Sequence, residues 1–228
     1  MNWIRLTLIK YIDRFRTALL RDVLAMQSLA PLTEGYIPWN AASMRPSSVM
    51  VILNEIMFNN RQSILECGSG ISTIYIAALL RNTGGHLYTV ENDPGWIHTI
   101  RGILMRNSLE SYVTIIQAPL TKTSLSWDGS LWYDEETIRA SINGIKLDLL
   151  IVDGPPGGEK GHRLARYPAV PFATPYLAED YSIILHDIHR PGEQHILKKW
   201  GKDLNISFEY RYRDGFTGVG RTKHRLDV

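Results

Sequence analysis

Four carboxylates and one histidine each close a short apolar run in this chain. Glu66 follows Ile64-Leu65, Glu91 follows Leu87-Tyr88-Thr89-Val90, Asp153 follows residues 147–152, and His186-Asp187 follow residues 181–185. Polar groups at the ends of buried strands are where open α/β sheets hold ligands. The most specific segment is Ile64-Leu65-Glu66-Cys67-Gly68-Ser69-Gly70-Ile71-Ser72-Thr73. Its glycines permit close backbone approach, and the amides of such a turn can face a carboxylate or hydroxyl of a ligand. An acid two residues before the first glycine disfavours an anionic pyrophosphate and favours a cationic amine. Thr73 stands where a dinucleotide fold usually has a third small residue, so a nicotinamide-dependent oxidoreductase is disfavoured. Glu91, at the end of the next strand, can accept both ribose hydroxyls of an adenosine.

Alternating elements must position these groups. Residues 63–66, 86–90, 112–117, 147–152 and 181–185 read as strands, the fourth apolar but for Asp148 and expected to be buried on both faces. Residues 73–81, 94–107, 165–177 and 192–200 read as helices, although Pro168, Pro171 and Pro175 interrupt the third. A further helix starts at Ser47 or Ser48 and carries Val49, Ile52, Leu53, Ile56 and Met57 inward. Residues 206–213 and 218–222 read as an antiparallel pair around Asp214-Gly215. Residues 118–146, with Trp127, Trp132 and Tyr133, read as an insertion over the sheet edge. Strand–helix alternation closed by a hairpin implies a mostly parallel sheet with helices on both faces.

Hydrophobic residues are 44% of the 228, enough for a core, and 25 Lys plus Arg against 23 Asp plus Glu leave a net charge of +2. That balance gives no electrostatic footprint for nucleic acid. The single cysteine, Cys67, fits a reducing compartment, and the expected location is the cytoplasm. Residues 1–28 are apolar but are interrupted by Arg5, Lys10, Asp13, Arg14, Arg16, Arg21 and Asp22. They read as amphipathic helix rather than as a membrane span or signal-peptide core. Such a helix packs on the domain or on a homodimer partner, and its basic face permits weak peripheral contact with a membrane. Residues 1–46 are thus expected to form a helical extension and a lid loop. Residues 47–228 are expected to form the main domain. In the lid, Tyr36, Trp39 and Met44 offer apolar area, and Arg45 can meet a carboxylate.

The sequence Glu66-Cys67-Gly68-Ser69-Gly70, with Glu91 beyond it, resembles the first two motifs of class I S-adenosylmethionine-dependent methyltransferases. The wording Val90-Glu91-Asn92-Asp93-Pro94-Gly95-Trp96, Val152-Asp153-Gly154-Pro155-Pro156-Gly157 and His186-Asp187-Ile188-His189-Arg190 is similar to a bacterial subgroup acting on small molecules or glycans. This resemblance covers residues 50–225. It implies a Rossmann-like, seven-stranded, mostly parallel sheet with an antiparallel last strand. It implies S-adenosylmethionine as cofactor, with Glu66, Gly68, Ser69, Gly70 and Ser72 around the methionine part. Glu91 would take the ribose, and Asn92, Gln117 and Ala118 would border the adenine. Methyl transfer to a hydroxyl needs an aligned acceptor and a base. His186 is the leading base, with Asp153 and Asp187 as alternatives, and Asp153 also stands as a cofactor contact. His189 and Arg190 read as loop-securing residues, while His162 and Arg163 can reach an anionic acceptor. The catechol-type relatives bind magnesium through carboxylates at these two strand ends. Asp153 and Asp187 match that layout, but neutral imidazole at His186 is a poor magnesium ligand, so a metal is the less favoured reading. The acceptor implied is a small molecule, methylated on oxygen; an amine acceptor and a non-catalytic cofactor-binding role are the alternatives.

Overall fold

The computed structural model describes the backbone of residues 2–157 and 162–223, with side chains from residue 16 onward. Segment 158–161, part of the stretch expected to approach the acceptor, lies outside the described residues. The apolar side chains of residues 3–15 lie outside them too.

Helix α1 (Asn2–Leu29) and helix α2 (Pro46–Asn59) precede the sheet. The chain then alternates through β1 (Ser63–Cys67), α3 (Ile71–Thr83), β2 (His86–Glu91), α4 (Pro94–Arg106) and β3 (Val113–Gln117). The stretch expected as an insertion holds a small antiparallel pair, β4 (Leu120–Thr121) with β5 (Trp132–Tyr133), and helix α5 (Glu135–Ile142). The rest comprises β6 (Leu147–Val152), α6 (Ala169–Ala173), β7 (Leu177–Leu185), α7 (Pro191–Leu204), β8 (Phe208–Arg211) and β9 (Thr217–Arg221).

Seven strands form one sheet in the order β3-β2-β1-β6-β7-β9-β8. The five from β3 to β7 run parallel, and β9 inserts antiparallel between β7 and β8. Chain order runs outward from β1 to β2 and β3, then returns to β6 on the other side. The topological switch point therefore lies between β1 and β6, and a crevice opens at their carboxyl ends. Alternate residues feed two cores. Ile64, Leu149, Ile151 and Ile184 join the layer of α2, α3 and α4. Leu65, Leu150, Val152 and Ile183 join the layer of α6 and α7.

Several boundaries differ from the sequence reading, for local reasons. Residues 165–177 do not make one long helix. Pro168 caps a five-residue helix, Pro171 lies inside it, and Pro175 opens a 3-10 turn at Thr174–Tyr176. Strand β7 then begins at Leu177, before the expected start, and slips register between Leu147 and Leu149 of β6. Helix α2 starts at Pro46, whose fixed φ and missing amide suit a first helical position. The Ser48 hydroxyl is used elsewhere, donating to the Gly215 carbonyl at 2.8 Å.

Helix α1 packs on α2 through buried Ala18, Ala25 and Leu29. Asp22 accepts from the Ser47 amide at 3.2 Å and pairs with Arg45. Its other side leaves Leu19, Leu20, Val23 and Leu24 55–66% exposed. No helix among the described residues is long and apolar enough to cross a membrane. A buried ionic cluster ties α2 to the sheet. Glu55 accepts from Asn59 Nδ2 at 2.8 Å, Ser182 Oγ at 2.6 Å and Arg221 Nε at 2.8 Å, while Arg61 lies 3.5 Å from it and donates to Ser182 Oγ at 2.8 Å.

Candidate active site

The site is built from the end of β1. The Cys67 carbonyl receives two amides from the end of β6, Asp153 at 2.9 Å and Gly154 at 2.6 Å, and the Gly68 amide donates to Val90 at 2.9 Å. Strands β1, β2 and β6 are thus stitched together just where they stop. Gly68 has φ +92° and lies so close that a Cβ would sit 2.8 Å from the Gly154 nitrogen. A Cβ on Gly154 would in turn lie 2.3 Å from the Tyr133 hydroxyl. Side chains at these two positions would close the crevice, which is the packing reason for glycine at both.

Glu66 is not in the cavity wall. It is fully buried below the turn and accepts from Ser72 Oγ at 2.5 Å, Thr73 Oγ1 at 2.5 Å and Thr89 Oγ1 at 2.7 Å. Thr73 Oγ1 also receives the Gly70 amide at 2.9 Å. Burial pushes the Glu66 carboxyl up to about 7, against the opposing pull of those three hydroxyls. Its place is therefore that of an organiser of the glycine turn. Its carboxylate is engaged by three hydroxyls, and the serine and threonines of α3 and β2 were the available signal.

Glu91 does face the crevice. One carboxylate oxygen accepts from the Ser69 amide at 3.2 Å and the other from the amides of Asn92 at 2.7 Å and Asp93 at 2.9 Å. Asp93 caps α4 by accepting the Trp96 amide at 2.8 Å, and the Trp96 indole donates to the Ser69 carbonyl at 2.8 Å. The cap of one helix thereby sets an aromatic wall beside the glycine turn.

The crevice has a volume of about 580 Å³. Of the expected cofactor contacts, Gly68, Ser69, Gly70, Ser72, Glu91, Asn92 and Asp153 line it. Gln117 and Ala118 do not. They end β3, two strands from the switch point, where the Gln117 side chain is exposed and the Ala118 amide is spent on the Glu91 carbonyl at 2.9 Å. Residues 40–44 of the expected lid form another wall, whereas Tyr36 is 84% exposed and Arg45 is engaged with Asp22. Sequence reasoning missed Asp93, Trp96, Tyr133 and Arg166, all of which line the cavity. His162 and Arg163 are exposed and outside this lining, while Arg190 is part of it.

At the other end of the cavity stand Asp153, His186 and Asp187, with ligand-type atoms all within 4.8 Å of one another. His186 Nδ1 lies 2.9 Å from Asp153 Oδ1, and its buried Nε2 has no hydrogen-bond partner among the described residues. Arg166, 4% exposed, lies 3.3 Å from Asp153 and 3.1 Å from Asp187. Two carboxylates at that spacing repel by roughly 3–4 kcal/mol at an effective dielectric of about 20, whereas each guanidinium contact contributes roughly 5 kcal/mol. The cluster therefore holds together through its cations. Burial alone would raise Asp153, but His186, Arg166 and Arg190 outweigh it and hold the carboxyl down at about 2. Burial alone would lower His186, but the Asp153 carboxylate, assisted by Asp187, raises it above the ordinary histidine value.

A family model described as a methyltransferase domain matches residues 65–188. Among solved structures, the chain is similar to a putative caffeoyl-CoA O-methyltransferase from Staphylococcus aureus, at 16% identity and TM-score 0.57, over 86% of this chain and 90% of that one. An O-methyltransferase from Bacillus cereus in complex with S-adenosylhomocysteine gives 16% identity and TM-score 0.57, over 92% and 90% of the two chains. A methyltransferase from Podospora anserina, also bound to S-adenosylhomocysteine, gives 14% identity and TM-score 0.56, over 97% and 95%. At these identities the likeness is one of fold. No curated protein matches the sequence.

Proposed function

Because the chain belongs to the methyltransferase-domain family, whose model spans residues 65–188, we propose that it transfers a methyl group from S-adenosylmethionine to a hydroxyl of a small molecule, a glycan or a natural product. When bound, that cofactor supplies a methyl group on a sulfonium sulfur, which keeps the electron pair of the broken bond. The chain's residues divide the remaining work. Glu91 accepts the ribose hydroxyls, Asn92 and Trp96 border the adenine, and the turn from Gly68 to Gly70 borders the methionine part. Residues 40–44, in the loop of the N-terminal extension, cover the cofactor.

The observation that carries this reading is the orientation of His186. Its Nδ1 faces Asp153 at 2.9 Å, so the proton sits on that nitrogen and the lone pair sits on Nε2. Nε2 is buried, has no partner among the described residues and belongs to a side chain lining the cavity, so it can take a proton once an acceptor seated there brings a hydroxyl against it. As the acceptor oxygen takes the methyl group, its proton passes to Nε2. Asp153 holds the imidazole in place and stabilises the charge that forms on it. The acid–base contribution of such a group is about 10²–10⁴-fold. His186→Gln is therefore expected to lower turnover by that factor while S-adenosylhomocysteine affinity, read by calorimetry, stays unchanged. Acceptors are found by screening hydroxylated small molecules for S-adenosylhomocysteine release. Full turnover in His186→Gln would instead point to an acceptor that needs no base, such as an amine. Binding of NADH in place of S-adenosylhomocysteine would overturn the assignment altogether.

A further inference from the structure

Arg166 comes from a segment whose sequence reads as a proline-interrupted helix, yet its guanidinium makes four polar contacts in the site. Nε donates to the Pro155 carbonyl at 3.3 Å, and NH1 donates to the His186 carbonyl at 3.2 Å. NH1 also lies 3.1 Å from Asp187, and NH2 lies 3.3 Å from Asp153. Both strand-end carboxylates are therefore bridged by one planar cation. Arg190 adds a second contact to Asp187 at 2.9 Å.

Asp153, His186 and Asp187 are also the described residues whose donor atoms converge closely enough to hold a metal ion. The donor set and its surroundings do not fit one. A magnesium ion needs oxygen ligands at about 2.0–2.1 Å in near-octahedral array, and it would meet a guanidinium already bound to both carboxylates. His186 Nδ1 is committed to Asp153 at 2.9 Å. A rigid fork of donors suits two carboxylates in the way a point charge does not. Charge neutralisation at this end of the crevice is already supplied by the polypeptide.

We propose that Arg166 is the resident cation of this site, standing where a divalent ion would otherwise sit, and that it fixes Asp153 and Asp187, and through Asp153 the His186 ring. Arg166 is thus a positioning residue. The statement about the reaction, that transfer proceeds without metal, rests on the methyltransferase reading. The statement about cation binding does not.

The two are separated by titrating the purified chain with Mn²⁺ and following the free-ion signal by electron paramagnetic resonance. The wild-type chain is expected to leave that signal undiminished. Arg166→Gln, which removes the charge at similar length, is expected to take up one ion per chain, and a second change, Asp187→Asn, to abolish that uptake. Arg166→Lys keeps a cation and is expected to leave the Mn²⁺ signal undiminished, although its point charge cannot bridge both carboxylates. Near-UV circular dichroism identifies which variants are folded, and Arg166→Ala serves if the glutamine variant is not. Uptake of one Mn²⁺ by the wild-type chain, lost in Asp187→Asn, would overturn the proposal. So would a folded Arg166→Gln chain that binds none. Where an acceptor is in hand, chelator should leave wild-type turnover unchanged, and a loss restored by Mg²⁺ would equally overturn the proposal. Absence of any turnover with either cation would speak only against the methyltransferase reading.

Discussion

His186 can take a proton only when neutral, and its pairing with Asp153 favours the charged ring. Its raised value places the acid limb of kcat above pH 6.5, with turnover rising as the pH passes through the folded-state value. A limb at or below pH 6.5, measured with a saturating acceptor, would exclude a histidine held in this way. The same linkage acts on stability. The charged His186 ring contributes stability that is present below 6.5 and lost as pH rises through its higher folded value. Asp153 contributes stability above 3.8 that is lost as pH falls towards about 2. At this scale the sequence was legible where a polar residue ends an apolar strand, as with Glu91, Asp153 and His186. It did not show how Glu66 is held, because that depends on Thr89 of the next strand as well as on Ser72 and Thr73 of the motif. Arg166 was invisible, because its partners come from two separate segments, 153–155 and 186–187, that only the fold brings to it.

Between α2 and the far strands of the sheet, one carboxylate carries the ionic part of the connection. Glu55 is fully buried between Arg61, 3% exposed, and Arg221, 10% exposed by side chain. Removing the acid would leave two buried guanidiniums without the carboxylate between them, Arg61 keeping only Asp180 at 3.3 Å and Arg221 only Glu209 at 3.8 Å among the described carboxylates. Glu55→Leu is therefore expected to cost about 3–5 kcal/mol. It should appear in urea unfolding as a lower midpoint with an unchanged slope. A loss below about 1 kcal/mol would mean that the cluster is no tighter than an exposed ion pair. The elements themselves were read from hydrophobic period, and the long ones were found close to their expected bounds: α4 ends at Arg106 and β6 spans Leu147–Val152. The exception was 165–177, where helical periodicity survives in the sequence but three prolines divide it.

For the molecule as a whole, strand–helix alternation was sufficient to foresee a mostly parallel sheet with a terminal hairpin. The position of β9 between β7 and β8 was not foreseeable from alternation, because a hairpin read locally does not say which of its strands pairs with the sheet. Nor does an amphipathic N-terminal segment reveal which of its two apolar sides is taken. Asp22, Ala18 and Ala25 face α2, while Leu19, Leu20, Val23 and Leu24 do not.

The stitch at Cys67 makes the sheet's centre a clock for its own opening. Its carbonyl takes the amides of Asp153 and Gly154 across the boundary between the two halves of the sheet. Neither proton can be released to solvent by fraying of one edge; the halves must part. Deuterium uptake at these two amides is therefore expected to follow global unfolding rather than local fluctuation. A ligand of the folded chain should then slow both by the same factor, equal to the gain in overall stability. At about 100 times its dissociation constant, S-adenosylhomocysteine should slow them roughly 100-fold, whereas amides near the exposed Tyr36, in the loop after α1, should scarcely respond. Fast, ligand-independent exchange at Asp153 would show that the halves separate without unfolding. The place where the cofactor binds would then be a working joint, not a fixed seam.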